Sequence, residues 1–367
     1  MKFPASLTAY EAFLHAELGP EIVEEGLAEK RAKMADGAFA FLRATYWRWA
    51  EIVPELAPAL MDAPRVLAVG DIHLANYGTW RDADGRLVWG VNDYDEAAEM
   101  PWALDPLRLV ASALLTGGNR DAAGIAAAVI EGYRAGLAEP KPAVLERGNA
   151  ALRGAVMVPE AERAAFWEKL AKKRRRFEKA DPKSRPVLPP RYVAALHAAL
   201  PRGAGEPAIW YRSAGLGSLG RPRWVAEADR RGEVVIREAK GVVPSAWTRR
   251  DGGGPRAIRC AEIASGRFRA PDPWYRVTDG VAVRRLSPNS RKVDIEGEEG
   301  IGLDVALGAD MLRAMGAELA AVHLGTGDAR DAIAKDLDRR PKGWLAEAAK
   351  TAASTVAAEH ADYAGKR

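Results

Sequence analysis

Apolar residues recur at helical spacing from residue 5 to residue 62, and Phe39, Phe41, Tyr46, Trp47 and Trp49 crowd one part of that stretch. Aromatics at such spacing predict packing within a helical layer, not a cofactor box. The pattern then shortens. Residues 65–69 predict a short buried strand that enters a loop, and residues 87–91 a second strand, introduced by the turn Asp82-Ala83-Asp84-Gly85. From residue 104 to about 179 the period is helical again, broken near Gly117-Gly118 and Pro140 to Pro142. Residues 182–190, rich in Pro and basic side chains, predict a linker or crossing segment. After a helix over 191–200, strands are expected at 208–212, 223–228, 234–238, 275–278 and 281–286, with one helix, 255–267, inside the series. From Asp304 onward the chain is helical and Ala-rich. Helical block, β block and helical block together predict an α+β protein with segregated lobes. The expected division is a helical lobe over 1–200, an antiparallel β lobe over 201–302 and closing helices over 303–367 that complete the helical lobe.

Composition narrows the class. A chain of 367 residues, 48% hydrophobic and 28% charged, can bury a sizeable core and favours two lobes. The longest apolar stretches, such as 104–115, carry charges and are too short to span a bilayer. Glu11, His15 and Glu17 interrupt the region where a secretory signal would be apolar, so a cytoplasmic protein without a membrane partner is expected. The single cysteine, Cys260, excludes an intramolecular disulfide and a Cys-based zinc site. The net charge of +4 is mildly basic. The basic run 172–176 reads as a solvated helix face, with phosphate or RNA contact as its alternative, and nucleic acid is not the expected partner.

The most informative stretch is Gly70-Asp71-Ile72-His73-Leu74-Ala75-Asn76, followed after the hairpin by Val91-Asn92-Asp93-Tyr94-Asp95-Glu96. Phosphoryl transfer from ATP needs a carboxylate that orients and deprotonates the acceptor hydroxyl, and oxygen ligands that hold magnesium on the phosphates. Asp71 and Asn76 stand five positions apart, and Asp93 directly follows the second strand of the hairpin. This arrangement resembles the aminoglycoside and choline kinase branch of the protein-kinase-like superfamily. The resemblance implies Asp71 as catalytic base, Asn76 and Asp93 as magnesium ligands, and His73 as the loop histidine, an anchor more than an acid or base; Asp95, two residues after Asp93, is the candidate for an extra ligand. It also matches Asp105 to the helix-start Asp that braces the loop; a plain N-cap is the compatible structural role. A dinuclear phosphoesterase reading of Gly70 to His73 fails. It needs further His-containing blocks, and none of His15, His73, His197, His323 and His360 lies in one.

A kinase also needs a glycine-rich loop, a strand lysine and a helix glutamate that holds it. Residues 1–69 contain no such set. It is expected later: Gly215, Gly217, Ser218 and Gly220 within Ser213 to Gly220, then Lys240, then Glu262 as the lysine's partner. A dinucleotide fingerprint would require a helix after the glycines, whereas strand-like residues 221–226 follow. Arg237 and Glu238 alternate with Lys240 and bear on its register. The helix ending Ala320-Ala321-Val322-His323-Leu324 resembles the helix after the hinge in the aminoglycoside kinase branch. The resulting expectation is a two-lobed, protein-kinase-like α+β fold in circularly permuted order, with the catalytic loop before the glycine-loop lobe.

The chain as a whole also resembles a bacterial family, domain of unknown function 2252. Lys33-Met34, Phe39 to Arg43, Gly70 to Gly78, Asn92 to Glu96, Arg212 to Gly217 and Val283-Arg284-Arg285-Leu286 carry the resemblance, while Ser287-Pro288 departs from the family's pattern. The expected function is an ATP- and Mg2+-dependent phosphotransferase acting on a hydroxyl acceptor. That acceptor is left open among small alcohols, sugars, antibiotics and protein side chains. A non-catalytic nucleotide sensor, a nucleotidyl (AMP) transferase and an RNA-binding protein are the alternatives.

Overall fold

The computed structural model describes residues 1–147, 149–250, 256–295 and 300–366. The chain is mixed α and β and divides into two compact units. One comprises residues 33–157, 244–271 and 291–367, and the other residues 1–32, 158–243 and 272–290.

In the first, helical unit, strand β1 (Arg65–Ala68) pairs antiparallel with β4 (Ala98–Pro101). Between them β2 (Tyr77–Arg81) and β3 (Leu87–Val91) form a hairpin, to which β5 (Ala143–Val144) adds an edge. The hairpin closes because the Asp82 carboxylate accepts the Asp84 and Arg86 N–H groups at 3.0 and 2.8 Å, an Asx-type turn. Apolar residues of the helices Leu104–Leu114, Ala122–Ala138, Ala309–His323 and Trp344–Ala364 supply much of the core. At its centre Trp102 stacks on Tyr133 with ring centroids 4.9 Å apart.

In the second, sheet unit, β6 (Ala208–Tyr211), β7 (Arg223–Arg230), β8 (Glu233–Gly241), β9 (Arg276–Thr278) and β10 (Val281–Arg285) form one antiparallel sheet in the order β6-β7-β8-β10-β9. Period-two alternation gives it two apolar patches. Trp224, Ala226, Ala239, Val281 and Val283 pack against Tyr192, Leu196 and Ala199 of the helix Pro190–Ala199. Trp210, Val225 and Ile236 pack against Leu170 of the helix Glu160–Lys179.

These units differ from the expected breaks at 200/201 and 302/303. Residues 1–32 and 158–200 join the sheet, because the two helices just named cover its faces and the N-terminal segment bonds the loop before β7 (Val23 N–H to the Gly220 carbonyl, 2.9 Å). Residues 244–271 and 291–302 join the helical unit. The helix expected over 255–267 is therefore not part of the sheet lobe. It is the five-residue helix Cys260–Ala264, and residue 255 lies outside the described residues. Its segment is held in the helical unit by Arg269, which binds Glu318, the Tyr94 hydroxyl and the Val91 carbonyl. Among the described residues, no helix is long and apolar enough to cross a membrane.

Candidate active site

The loop after β1 is fastened by one stripe of a mostly apolar helix. In Leu104–Leu114, Asp105, Arg108 and Ser112 fall at i, i+3 and i+7, a spacing that puts them on one face. The fully buried Asp105 carboxylate accepts the Val69 and Gly70 N–H groups at 2.8 and 2.9 Å. Its third contact is His323 Nε2 at 3.0 Å, and His323 Nδ1 meets the Tyr133 hydroxyl at 2.7 Å. Ser112 Oγ accepts the Leu74 N–H at 3.1 Å. The Asn76 side chain donates to the Asp71 carbonyl at 2.6 Å, and the Asn76 carbonyl accepts the Asn92 N–H at 3.0 Å. The loop is thereby tied at both ends and to the end of the hairpin.

The third member of the stripe, Arg108, binds Asp71 Oδ1 and the Leu42 carbonyl. Its guanidinium lies over the Tyr46 and Trp49 rings at 5.1 and 5.0 Å. Its Nε and Nη1 have no hydrogen-bond partner, and the ring faces account for their place. Burial pushes the Asp71 carboxyl up to about 7 despite Arg108, and Glu96 and Asp93 push in the same direction. The Asp71 side chain keeps 19% exposure, and Arg108 binds one of its two oxygens.

Asp93 and Asp95 are half-buried in the turn after β3, where the Asp95 N–H approaches Asp93 Oδ1 at 3.4 Å. Tyr94 between them points inward to Arg269. Asn76 spends its amide nitrogen on the Asp71 carbonyl, which leaves its Oδ1 as an acceptor. Asn76, Asp93 and Asp95 are all oxygen donors, the chemistry magnesium takes, and that ion keeps several water or phosphate oxygens besides one or two carboxylates. Among the described residues no group of three or more His, Cys, Asp or Glu side chains is placed to hold a metal ion.

His73 is buried and edge-on to Phe39, with ring centroids 6.0 Å apart. Burial, Arg43 and Arg108 hold its imidazole well below the usual histidine range, and its Nδ1 has no hydrogen-bond partner. A neutral ring packed this way suits a loop anchor, not a proton carrier.

In the sheet unit the glycine segment joins β6 to β7 through a short helical turn, Leu216–Ser218. Gly215 is exposed, with φ +79°, and a Cβ there would stand 2.9 Å from Arg223 Nη2. Ser218 Oγ accepts from Arg223 at 2.7 Å and donates to the Gly215 carbonyl at 3.2 Å. The Gly217 carbonyl accepts from buried Lys30 at 2.7 Å. Gly220 corrects its expected role: it is buried, with φ +91°, and a Cβ there would stand 2.3 Å from Leu27 Cδ2. Its glycine character serves close packing on the helix Glu24–Lys33 and not approach to a phosphate.

Lys240 is buried on β8, opposite Arg223 on β7 and Ala282 on β10. Glu262, expected as its brace, bonds another side chain. Glu262 belongs to the helical unit, is 46% exposed, and has both oxygens taken by Arg259, three residues earlier, at 2.7 and 2.6 Å. The carboxylate on Lys240's own strand face is Glu238, two residues before it. Glu238 is fully buried and binds Arg212, Arg223 and Arg284. Arg108 and Glu238 were not singled out as site residues from sequence, although the i, i+3, i+7 stripe and the two-residue strand period both mark them.

No curated protein and no solved structure matches the chain. Residues 22–185, which include the whole Asp71 loop, its bracing stripe and the Asp93 turn, match the model of the bacterial family described as "Uncharacterized protein conserved in bacteria (DUF2252)".

Proposed function

We propose that the protein is an ATP- and magnesium-dependent phosphotransferase with a kinase-like fold in circularly permuted order, acting on a hydroxyl-bearing acceptor. The observation that carries this reading is Asp71. A carboxylate on a loop fastened at several points is kept partly exposed and raised to about 7, where a general base works best at neutral pH. A residue kept only for stability would gain nothing from two further acids, Glu96 and Asp93, that oppose its charge.

Bound magnesium-ATP supplies the phosphoryl group. Asn76 Oδ1 and Asp93, with Asp95, would hold the metal. Arg108 holds Asp71 Oδ1 and so fixes the carboxylate plane. Oδ2 would accept a hydrogen bond from the acceptor hydroxyl and take its proton as the acceptor oxygen bonds to the γ-phosphorus and the bond from that phosphorus to the bridging oxygen breaks, with ADP leaving. Asp105 acts at one remove, keeping the Val69 and Gly70 backbone, and with it Asp71, in position.

The test uses the full chain with magnesium and ATP labelled at either the α- or the γ-phosphate, with candidate alcohols or water as acceptor. Transfer of γ-label is the expected result. Transfer of α-label would assign nucleotidyl transfer instead, and nucleotide binding without transfer of either label would assign a sensor.

A further inference from the structure

The hairpin that leads to Asp93 has a neighbour far along the chain. Residues 291–293, which belong to the same helical unit, run along the edge of β2 that β3 leaves open. Gly78 bridges Lys292 antiparallel, the Arg291 carbonyl accepts the Thr79 N–H at 2.8 Å, and the Val293 N–H donates to the Tyr77 carbonyl at 3.1 Å. Side chains alternate along such a segment. Val293 is buried, and Arg291 donates to the Ala155 and Gly300 carbonyls at 2.6 and 2.7 Å, which fixes the backbone. Lys292, between them, is exposed.

The bridge partner of Lys292 is a glycine for a steric reason. A Cβ at Gly78 would stand 3.1 Å from Lys292 Cβ and 2.4 Å from Asn92 Nδ2. Without one, Lys292 and Asn92 share the space over the strand. Asn92 donates its N–H to the Asn76 carbonyl at 3.0 Å and immediately precedes Asp93. Lys292 is thereby set beside the strand ends that carry the two magnesium ligands proposed above. The buried His73 ring feels both charges: Lys292 acts to lower its pKa and Asp93 to raise it, so ammonium and carboxylate lie within Coulombic reach of one imidazole. Asp294 follows two residues on, so Lys292 stands among carboxylates. Phosphoryl transfer uses such a mixture, carboxylates for the metal and a lysine for phosphate oxygens. A lysine meets phosphate as a point charge on a flexible stem, and needs no fixed fork to do so.

We infer that Lys292 is a phosphate ligand of the Asp71 site: its ammonium contacts the phosphate chain whose magnesium Asn76 and Asp93 hold, and Gly78 keeps the space between them clear. The inference deepens the phosphotransferase reading and rests on it for the place of the metal-bound triphosphate.

The test combines two readouts on the full chain with magnesium present. Acylation of lysines, followed by mass spectrometry, is compared with ATP, tripolyphosphate, AMP or no addition, with exposed Lys350 as the internal control. ATP and tripolyphosphate should slow the modification of Lys292 and leave Lys350 unchanged, and AMP should protect far less. Calorimetry then measures ATP binding to Lys292→Met and Lys292→Arg, with the unliganded melting temperature as the check on folding. Lys292→Met should lose roughly tenfold or more in ATP affinity, the scale of one charge-assisted contact, and Lys292→Arg should keep most of it. If Lys292→Met misfolds, the acylation of the wild-type chain decides. Unchanged modification of Lys292 with ATP bound, or equal ATP affinity in folded Lys292→Met, overturns the inference. Protection by AMP as strong as by ATP would put the ammonium on the nucleoside and overturn it as well. Transfer of γ-label by Lys292→Met at the wild-type rate and KM would leave the phosphotransferase reading standing without it. Lys292-dependent ATP binding without transfer of label would do the reverse.

Discussion

Two carboxylates, one in each unit, are treated in opposite ways. Glu238 has three arginines and no exposure, and Arg223, Arg284 and Arg212 overcome the opposing effect of burial to hold its carboxyl well below the usual range. Asp71 has one arginine, and burial wins: it rises to about 7, with Glu96 and Asp93 adding to the rise. The first is a charge the fold is built to satisfy. The second is a charge the fold tolerates at a cost, on a loop whose backbone is nonetheless closely fixed. Stability and readiness for chemistry are therefore separated between two sites instead of being traded within one.

The contrast can be broken by neutralising each acid in turn. Glu238→Gln removes a charge that three arginines share and should cost about 3–5 kcal/mol in urea unfolding at pH 7. A depressed carboxyl contributes stability that is present above its unfolded value of 4.5 and lost as pH falls through the folded value. The gap between Glu238→Gln and the wild-type chain should therefore narrow as pH is lowered below 4.5. Asp71→Asn should act with the opposite sign. A raised carboxyl contributes stability that is full below its unfolded value of 3.8 and lost as pH rises through about 7. The amide mimics the protonated acid, so the variant should gain about 1–4 kcal/mol at pH 8 and nothing at pH 3. Equal signs for the two variants at pH 8 would remove the distinction.

Two smaller effects sharpen it. Asp105→Asn weakens the acceptor of the Val69 and Gly70 N–H groups and should cost about 1.5–3 kcal/mol. It should lower kcat while leaving KM near its wild-type value, because Asp105 positions the base without touching substrate. Glu262→Gln breaks only an exposed pair with Arg259 and should change stability by less than about 0.5 kcal/mol. ATP affinity should be unmoved; a marked loss would restore Glu262 as the brace of Lys240.

The contrast also shows what the chain's residues made legible. Strand 87–91 is observed with the bounds its apolar run suggests, because a fully buried strand between turn residues has few other readings. Asp71, Asn76 and the Asp93 turn are linked in space through the Asn76 contacts, since all lie within one hairpin of each other. β2 carries a weak strand signal because it contains Gly78, and β4 because it is four residues long and ends in Pro101. The division into units was illegible because it depends on contacts far apart in sequence, such as Val23 with Gly220. Glu262 was chosen for lying on the helix after the Lys240 strand, whereas a strand's own alternation points to Glu238. Gly220 was counted as a phosphate glycine because sequence spacing does not reveal the helix Glu24–Lys33 packed over it.

The central claim, that Asp71 is a base and not a structural acid, is met most directly by measuring magnesium-dependent ATP turnover and ATP affinity on one preparation of Asp71→Asn. Turnover should fall by roughly 10²–10⁴-fold, the usual contribution of a positioned general base, with ATP affinity unchanged. A variant that turns over ATP as fast as the wild-type chain would contradict the account.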